Sequence, residues 1–211
     1  MIVKDNLHIV DHPLVQSLLT ELRRIDTPPA RFRSLVHRIT TLMAFEVTKD
    51  FALRLEPVET PLTERPLPLL DVGPVTIVPI LRAGLGMMDP LLDLLPSASV
   101  GMLGLQRNPR THEPEEYYAK MPADLNQSLV LLVDPMLATG GSAVDALRSL
   151  KSKGCERIIM MNILAAPEGV AAVQQAFPTV PFYVAAVDEC LNEHAYIVPG
   201  LGDAGDRYFN S

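Results

Sequence analysis

Cysteine is scarce in this chain. The two residues, Cys155 and Cys190, stand far apart and form no metal or redox motif, as expected of reduced thiols in a cytoplasmic protein. Basic runs are missing as well. With 18 Lys and Arg against 25 Asp and Glu the formal net charge is −7, so no nucleic-acid partner is expected. An anionic substrate would have to be met by a few local cations. The opening residues 1–6 lack the apolar core of a signal peptide. The apolar run over 75–88 is broken by Arg82 and is too short to span a bilayer, so no membrane partner is expected either. Neither an internal repeat nor a low-complexity tract interrupts the chain. What is present, 48% apolar and 20% charged residues over 211 positions, suits one α/β domain with a sizeable core and at most a modest appendage.

The most informative stretch runs from Leu129 to Leu150. Leu129–Val133 is an apolar pentamer that reads as a buried parallel strand, closed by Asp134. Small residues follow through Gly141, and 142–150 is a good helix sequence. In such strand–loop–helix units a ligand sits at the carboxyl end of the strand, where the helix presents free N–H groups. Gly140 and Gly141 let backbone amides approach an anion, and the Thr139 and Ser142 hydroxyls add donors. Asp134 would repel phosphate and is better placed to accept from hydroxyls. The loop has no lysine, which removes the nucleoside-triphosphate motif, and no G-x-G-x-x-G, which removes the dinucleotide motif. A ribose with one terminal phosphate remains; the plain alternative is a buried turn with no ligand.

The stretch V-D-P-M-L-A-T-G-G-S (133–142) resembles the phosphoribosyl-pyrophosphate (PRPP) signature of the type I phosphoribosyltransferases. Its Asp-Pro pair, in place of two adjacent acids, resembles the uracil phosphoribosyltransferases. Two further segments extend the likeness. P-I-L-R-A-G-L-G-M (79–87) follows an apolar strand over 75–80 and resembles that family's pyrophosphate loop. An arginine in so apolar a segment needs an anionic partner, because burying it alone is costly; a structural ion pair is the alternative. G-L-G-D-A-G-D-R (200–207), in a glycine-rich but apolar terminal segment, resembles the uracil-binding hood. The polar segment 106–122 is long for a compact domain and resembles a mobile hood over the site. There Arg107 matches a PRPP contact, while Tyr117, Tyr118 and Lys120 fall on a Y-Y-x-K-x-P signature. Arg110 and His112 read as solvated.

The rest of the chain sets the frame. Asp11 is expected to cap a helix over 12–24 with Leu14, Leu18 and Leu22 on one face. Thr27 to Pro29 should open a second helix carrying Phe32, Leu35, Val36, Ile39, Leu42 and Met43. Both helices are expected before the first parallel strand, as a lid or an oligomer contact. His8, His12 and His37 read as surface or capping residues. Residues 53–68 suggest a hairpin arm. A weaker strand over 99–105, strands over 157–164 and 182–187 and a helix over 167–176 complete a strand–helix alternation, and the final segment 191–207 reads as loop. The expected architecture is α/β: a parallel sheet of the type I phosphoribosyltransferase fold with helices on both faces, divided into an N-terminal helical and hairpin arm (1–70), a core (71–190) and a C-terminal hood (191–211).

The resemblance implies transfer of a phosphoribosyl group from PRPP to uracil, giving UMP and pyrophosphate. It implies Arg82, Arg107 and Asp134 as catalytic residues and PRPP contacts. It adds Pro135, Met136, Leu137, Ala138, Thr139, Gly140, Gly141, Ser142 and Asp203 to PRPP, and Ile197, Gly202, Asp203 and Ala204 to uracil. Mg²⁺ would be held mainly by PRPP, with no protein ligand assigned. A homo-oligomer, dimer or tetramer, is implied, with GTP as a candidate activator. The competing readings are a phosphoribosyltransferase for another base and a PRPP-fold regulator that binds RNA. The terminal motif speaks against the first and the charge against the second.

Overall fold

The computed structural model describes residues 2–107 and 114–211. Two short strands come first, β1 (Ile2–Lys4) and β2 (Leu7–Ile9). Helix α1 (Pro13–Arg23) follows; its cap is His12, not Asp11, because the His12 Nδ1 accepts from the Leu14 amide at 3.2 Å. Its buried residues are Val15, Leu18, Leu19 and Leu22, while Leu14 is exposed. Helix α2 (Pro29–Thr48) buries the expected stripe, with Leu42 at its edge. Strands β3 (Leu53–Glu59) and β4 (Glu64–Leu70) pair antiparallel as a separate two-stranded sheet, the expected hairpin.

The core alternation begins with β5 (Val75–Leu81) and α3 (Leu85–Leu94), then β6 (Ser99–Val100) and β7 (Met102–Arg107). The polar segment expected as loop instead contains a strand, β8 (Pro114–Lys120), antiparallel to β7. Backbone pairing and the packing of Tyr117 over Gly104 override the polar composition. Strand β9 (Leu129–Val133), the two-residue β10 (Met136–Leu137) and α4 (Gly141–Ser152) form the central unit. Strand β11 (Arg157–Ala165), α5 (Pro167–Ala176) and β12 (Phe182–Val187) lie where the sequence places them. The terminal segment, expected as loop, is more ordered than that: β13 (Cys190–Leu191) and β14 (Ile197–Val198) pair antiparallel, and α6 (Ala204–Phe209) follows.

The main sheet runs β1-β2-β12-β11-β9-β5-β7-β8, with β10 on β11 and β6 on β5. It is parallel from β2 to β7 and antiparallel at both edges. The parallel strand β2 precedes both N-terminal helices, which corrects the expectation that they come first. Three residues with a histidine in the middle are too short to show a period; His8 is held there by stacking on Tyr183, ring centroids 4.4 Å apart.

Strand alternation decides which helices cover which face. Ile77, Leu131, Val133, Met161, Ile163 and Ala185 point into a core shared with α1, α2 and α3. Their neighbours Val78, Ile80, Leu132, Met160 and Val184 point the other way, against Leu147, Leu150 and Val173 of α4 and α5. The sheet is thus buried on both faces, and its carboxyl edge is left to the loops. No helix among the described residues is long and apolar enough to cross a membrane.

Candidate functional site

Two adjoining cavities open at that carboxyl edge. The larger, about 370 Å³, is lined by Asp134, Met136 and Ala138 on one side and by His194 to Ile197 and Gly202 to Gly205 on the other, with Ala83 between. The smaller, about 90 Å³, is formed by Asp134 and the run from Met136 to Ala143. Asp134, Met136 and Ala138 belong to both, so the two are one continuous site.

The loop after β9 makes the smaller cavity. Gly140 is the residue before α4 and has φ +82°, a left-handed conformation that glycine adopts without steric cost. A Cβ there would also stand 2.8 Å from the Ala172 Cβ of α5. Thr139 and Ser142 are exposed beside the helix start, and the Thr139 Oγ1 accepts weakly from the Gly141 amide at 3.4 Å. Amides and hydroxyls at the positive end of a twelve-residue helix suit a phosphate. Pro135 lines neither cavity; its carbonyl accepts from the Ile163 and Leu164 amides and so fixes the loop to β11.

Asp134 stands where the cavities meet. Its backbone carbonyl accepts from the buried Asn162 Nδ2 at 2.7 Å, and its Oδ1 accepts from the Met136 amide at 3.3 Å. Loss of water around it raises the carboxyl from 3.8 to about 7. The Met136 amide pulls the other way, and the negative Asp203 across the cavity adds to the rise. A carboxylate with unused lone pairs in a poorly hydrated pocket favours ligands bearing hydroxyls.

The opposite wall is built by the terminal segment. Asn192 closes its tip: the side-chain oxygen accepts from the His194 and Tyr196 amides at 3.0 and 2.9 Å, with Ala195 between them at φ +62°. Asp203 caps α6 by accepting from the Asp206 amide at 2.9 Å, and it also lines the larger cavity. Ile197, Gly202, Asp203 and Ala204 all line the larger cavity. Ala83, His194, Ala195, Tyr196 and Gly205 were not singled out from the sequence; the Asn-x-His-Ala-Tyr turn chemistry around Asn192 was the signal available.

Arg82 is not buried, contrary to the cost argument made from its apolar surroundings. Its side chain is 62% exposed, 3.9 Å from the Asp206 carboxylate and over the Phe209 ring at 5.6 Å. It lines neither cavity, but lies one residue before Ala83, which does. Arg107 ends β7, and its side chain falls outside the described residues, as do Arg110 and His112. Tyr117 and Tyr118 are half-exposed on β8, which Lys120 ends.

Among the described residues no three His, Cys, Asp or Glu side chains converge as a metal cage. The carboxylates of the larger cavity, Asp134 and Asp203, are oxygen donors. They fit a hard cation that brings water and substrate oxygens with it.

The sequence profile described as "Uracil phosphoribosyltransferase" matches residues 9–211. Curated proteins of that name from Anoxybacillus flavithermus and Lysinibacillus sphaericus are 51% and 52% identical over 205 residues, 97% of this chain and 98% of each relative. A solved structure of a protein from Aquifex aeolicus superposes with a TM-score of 0.90 at 35% identity, covering 96% of this chain and 97% of that one. An adenine phosphoribosyltransferase from Trypanosoma brucei, solved with AMP, pyrophosphate and ribose-5-phosphate, superposes at a TM-score of 0.61 with 15% identity over 95% of this chain and 90% of its own, a likeness of fold.

Proposed function

This chain belongs to the uracil phosphoribosyltransferase family, and we propose how its cavity performs the reaction of that family: PRPP and uracil give UMP and pyrophosphate, a step of pyrimidine salvage. One observation supports the assignment of roles above all. A single cavity is walled by the phosphate-loop residues on one side and by the terminal hood on the other, as a reaction joining a ribose phosphate to a base requires.

The bond broken joins the anomeric carbon to pyrophosphate, with oxocarbenium character in the transition state as in glycoside chemistry. Such a reaction asks for a fixed ribose, a stabilised leaving group and a base held on the opposite face. Asp134 accepts from the ribose hydroxyls. The 5′-phosphate sits in the small cavity on the amides and hydroxyls of Ala138 to Ser142, with Met136 and Leu137 shaping its wall and Pro135 anchoring it. Arg82 and Arg107 meet the pyrophosphate, together with Mg²⁺. A bound Mg²⁺ would supply positive charge to the leaving group, and Asp134 and Asp203 are the carboxylates that would hold it. Ile197, Gly202, Asp203 and Ala204 present the base, whose O4 acceptor and N3–H donor match a backbone amide and carbonyl. On the same family reading the chain works as one unit, assembles as a homo-oligomer and has GTP as its candidate activator; the outward leucines 53, 55 and 62 of the β3–β4 hairpin are an apolar surface for a second copy.

The test is incubation with PRPP, Mg²⁺ and each nucleobase in turn. Uracil should become its monophosphate. Cytosine presents a donor amine beside an acceptor nitrogen, and a site built for the opposite edge should reject it by about 10⁴-fold. Equal rates on the two bases would refute the roles given to the hood.

A further inference from the structure

The hood has a support that lies in neither cavity. Asp188 directly follows β12, and its side chain is only 5% exposed. Both of its oxygens are engaged by the Arg23 guanidinium at the end of α1, each at 2.6 Å, in a bidentate pair. Its Oδ2 also accepts from the Gly200 amide at 2.9 Å, while the same Arg23 donates to the Gly200 carbonyl at 2.8 Å. Gly200 is therefore held at both polar groups of its backbone by one ion pair.

The place of this pair in the chain matters. Asp188 and Gly200 are the two feet of the β13–β14 hairpin, whose tip carries His194 to Ile197 into the cavity. Gly200 also leads into Gly202 to Gly205, the second stretch of cavity wall. A second contact reinforces the first: Arg207 of α6 donates to the carbonyls of Leu22, Arg24 and Leu201 and lies 4.5 Å over the Phe32 ring. The carboxyl end of α1 thus grips the junction between the two stretches that form the base side of the cavity. The phosphate loop, attached to β9, β11 and α5, has no part in it.

We infer that Arg23 and Asp188 are positioning residues for the nucleobase: the pair sets the spacing of the two hood stretches and thereby the affinity for uracil, and reaches PRPP only secondarily, through Asp203. Charge-assisted bidentate bonds have the directionality this needs, and a misplacement of about 1 Å at a reacting partner can cost about 10²-fold. The inference rests on the uracil reading above.

Asp188→Asn and Arg23→Gln are the direct variants, with Arg24→Ala as a control because the Arg24–Asp26 pair is fully at the surface. Steady-state kinetics should show KM for uracil raised by roughly 10-fold or more in both variants, with a distinctly smaller rise, about 3-fold or less, in KM for PRPP. Arg23→Lys keeps charge but not the fork, and should fall between. Amide hydrogen exchange supplies a readout independent of activity: residues 189–204 should exchange faster by about 10-fold in Asp188→Asn, while α4 is unchanged. Equal rises in both KM values, or unaltered exchange in the hood, would overturn the inference. A parent protein inactive on uracil would instead refute the functional reading, and the exchange result would still decide whether the pair holds the hood.

Discussion

At the scale of the residue, Asp134 is the group whose chemistry departs most from its ordinary behaviour. Burial pushes its carboxyl up to about 7 from 3.8. A carboxyl whose folded value exceeds its unfolded one favours folding most when protonated. Its contribution is largest below a pH of about 4, declines as pH rises toward 7 and is constant above that. Asp134→Asn abolishes this titration, so the melting temperature of the variant should gain on the parent between those limits, as scanning calorimetry at several pH values would show. The ionised form is the better acceptor for ribose hydroxyls. In the parent, KM for PRPP should therefore fall as pH rises through 7, whereas the variant should show a flat profile, weaker by about 10-fold or more at high pH. An identical pH profile in the two proteins would remove Asp134 from ribose binding.

At the scale of the element, the two left-handed glycines at the site have unequal surroundings. Gly202 at φ +81° has only the Arg207 Cδ within reach of an added Cβ, at 3.8 Å, whereas Gly140 would meet Ala172 at 2.8 Å and the Gly169 carbonyl at 3.1 Å. Gly202→Ala should cost only the left-handed strain, about 1 kcal/mol, or ~2–4 °C in melting temperature. Gly140→Ala adds overpacking of about 1–3 kcal/mol between the phosphate loop and α5. Thermal melts of both variants should rank Gly140→Ala well below Gly202→Ala, and equal losses would show that α5 gives way without cost.

At the scale of the whole molecule, charge separates the enzyme from a nucleic-acid regulator with the same fold. A net charge of −7 gives a polyanion little counterion release to gain. Several cations are already engaged within the chain: Arg23 of α1 with Asp188, Arg31 of α2 with Glu21, and Arg207 of α6 with backbone carbonyls. A gel shift with structured RNA at physiological salt should show no retardation at protein concentrations where uracil is converted rapidly. A salt-dependent shift at sub-micromolar protein would reopen the regulatory reading.

The sequence by itself determined the parallel core and the turn from β9 into α4, because both are local. An apolar run closed by an acid, then small residues, then a helix start, specifies strand, turn and helix within about twenty positions, and the structure has Leu129–Val133, Gly140 and α4 as those elements. The hood motif was legible through its likeness to a family, but its form was not: glycine content predicted loop, and long-range pairing made β13, β14 and α6. Tertiary structure alone decided three further matters. It exposed Arg82, because the loop turns its side chain out of the apolar segment toward Asp206. It raised Asp134 by excluding water and bringing Asp203 across the cavity from 69 positions along the chain. It joined Arg23 to Asp188 and Gly200, an ion pair between the end of the first helix and the hood. No pattern of residue types along the chain encodes such a contact, since its partners become neighbours only when the sheet has formed and α1 has packed across it.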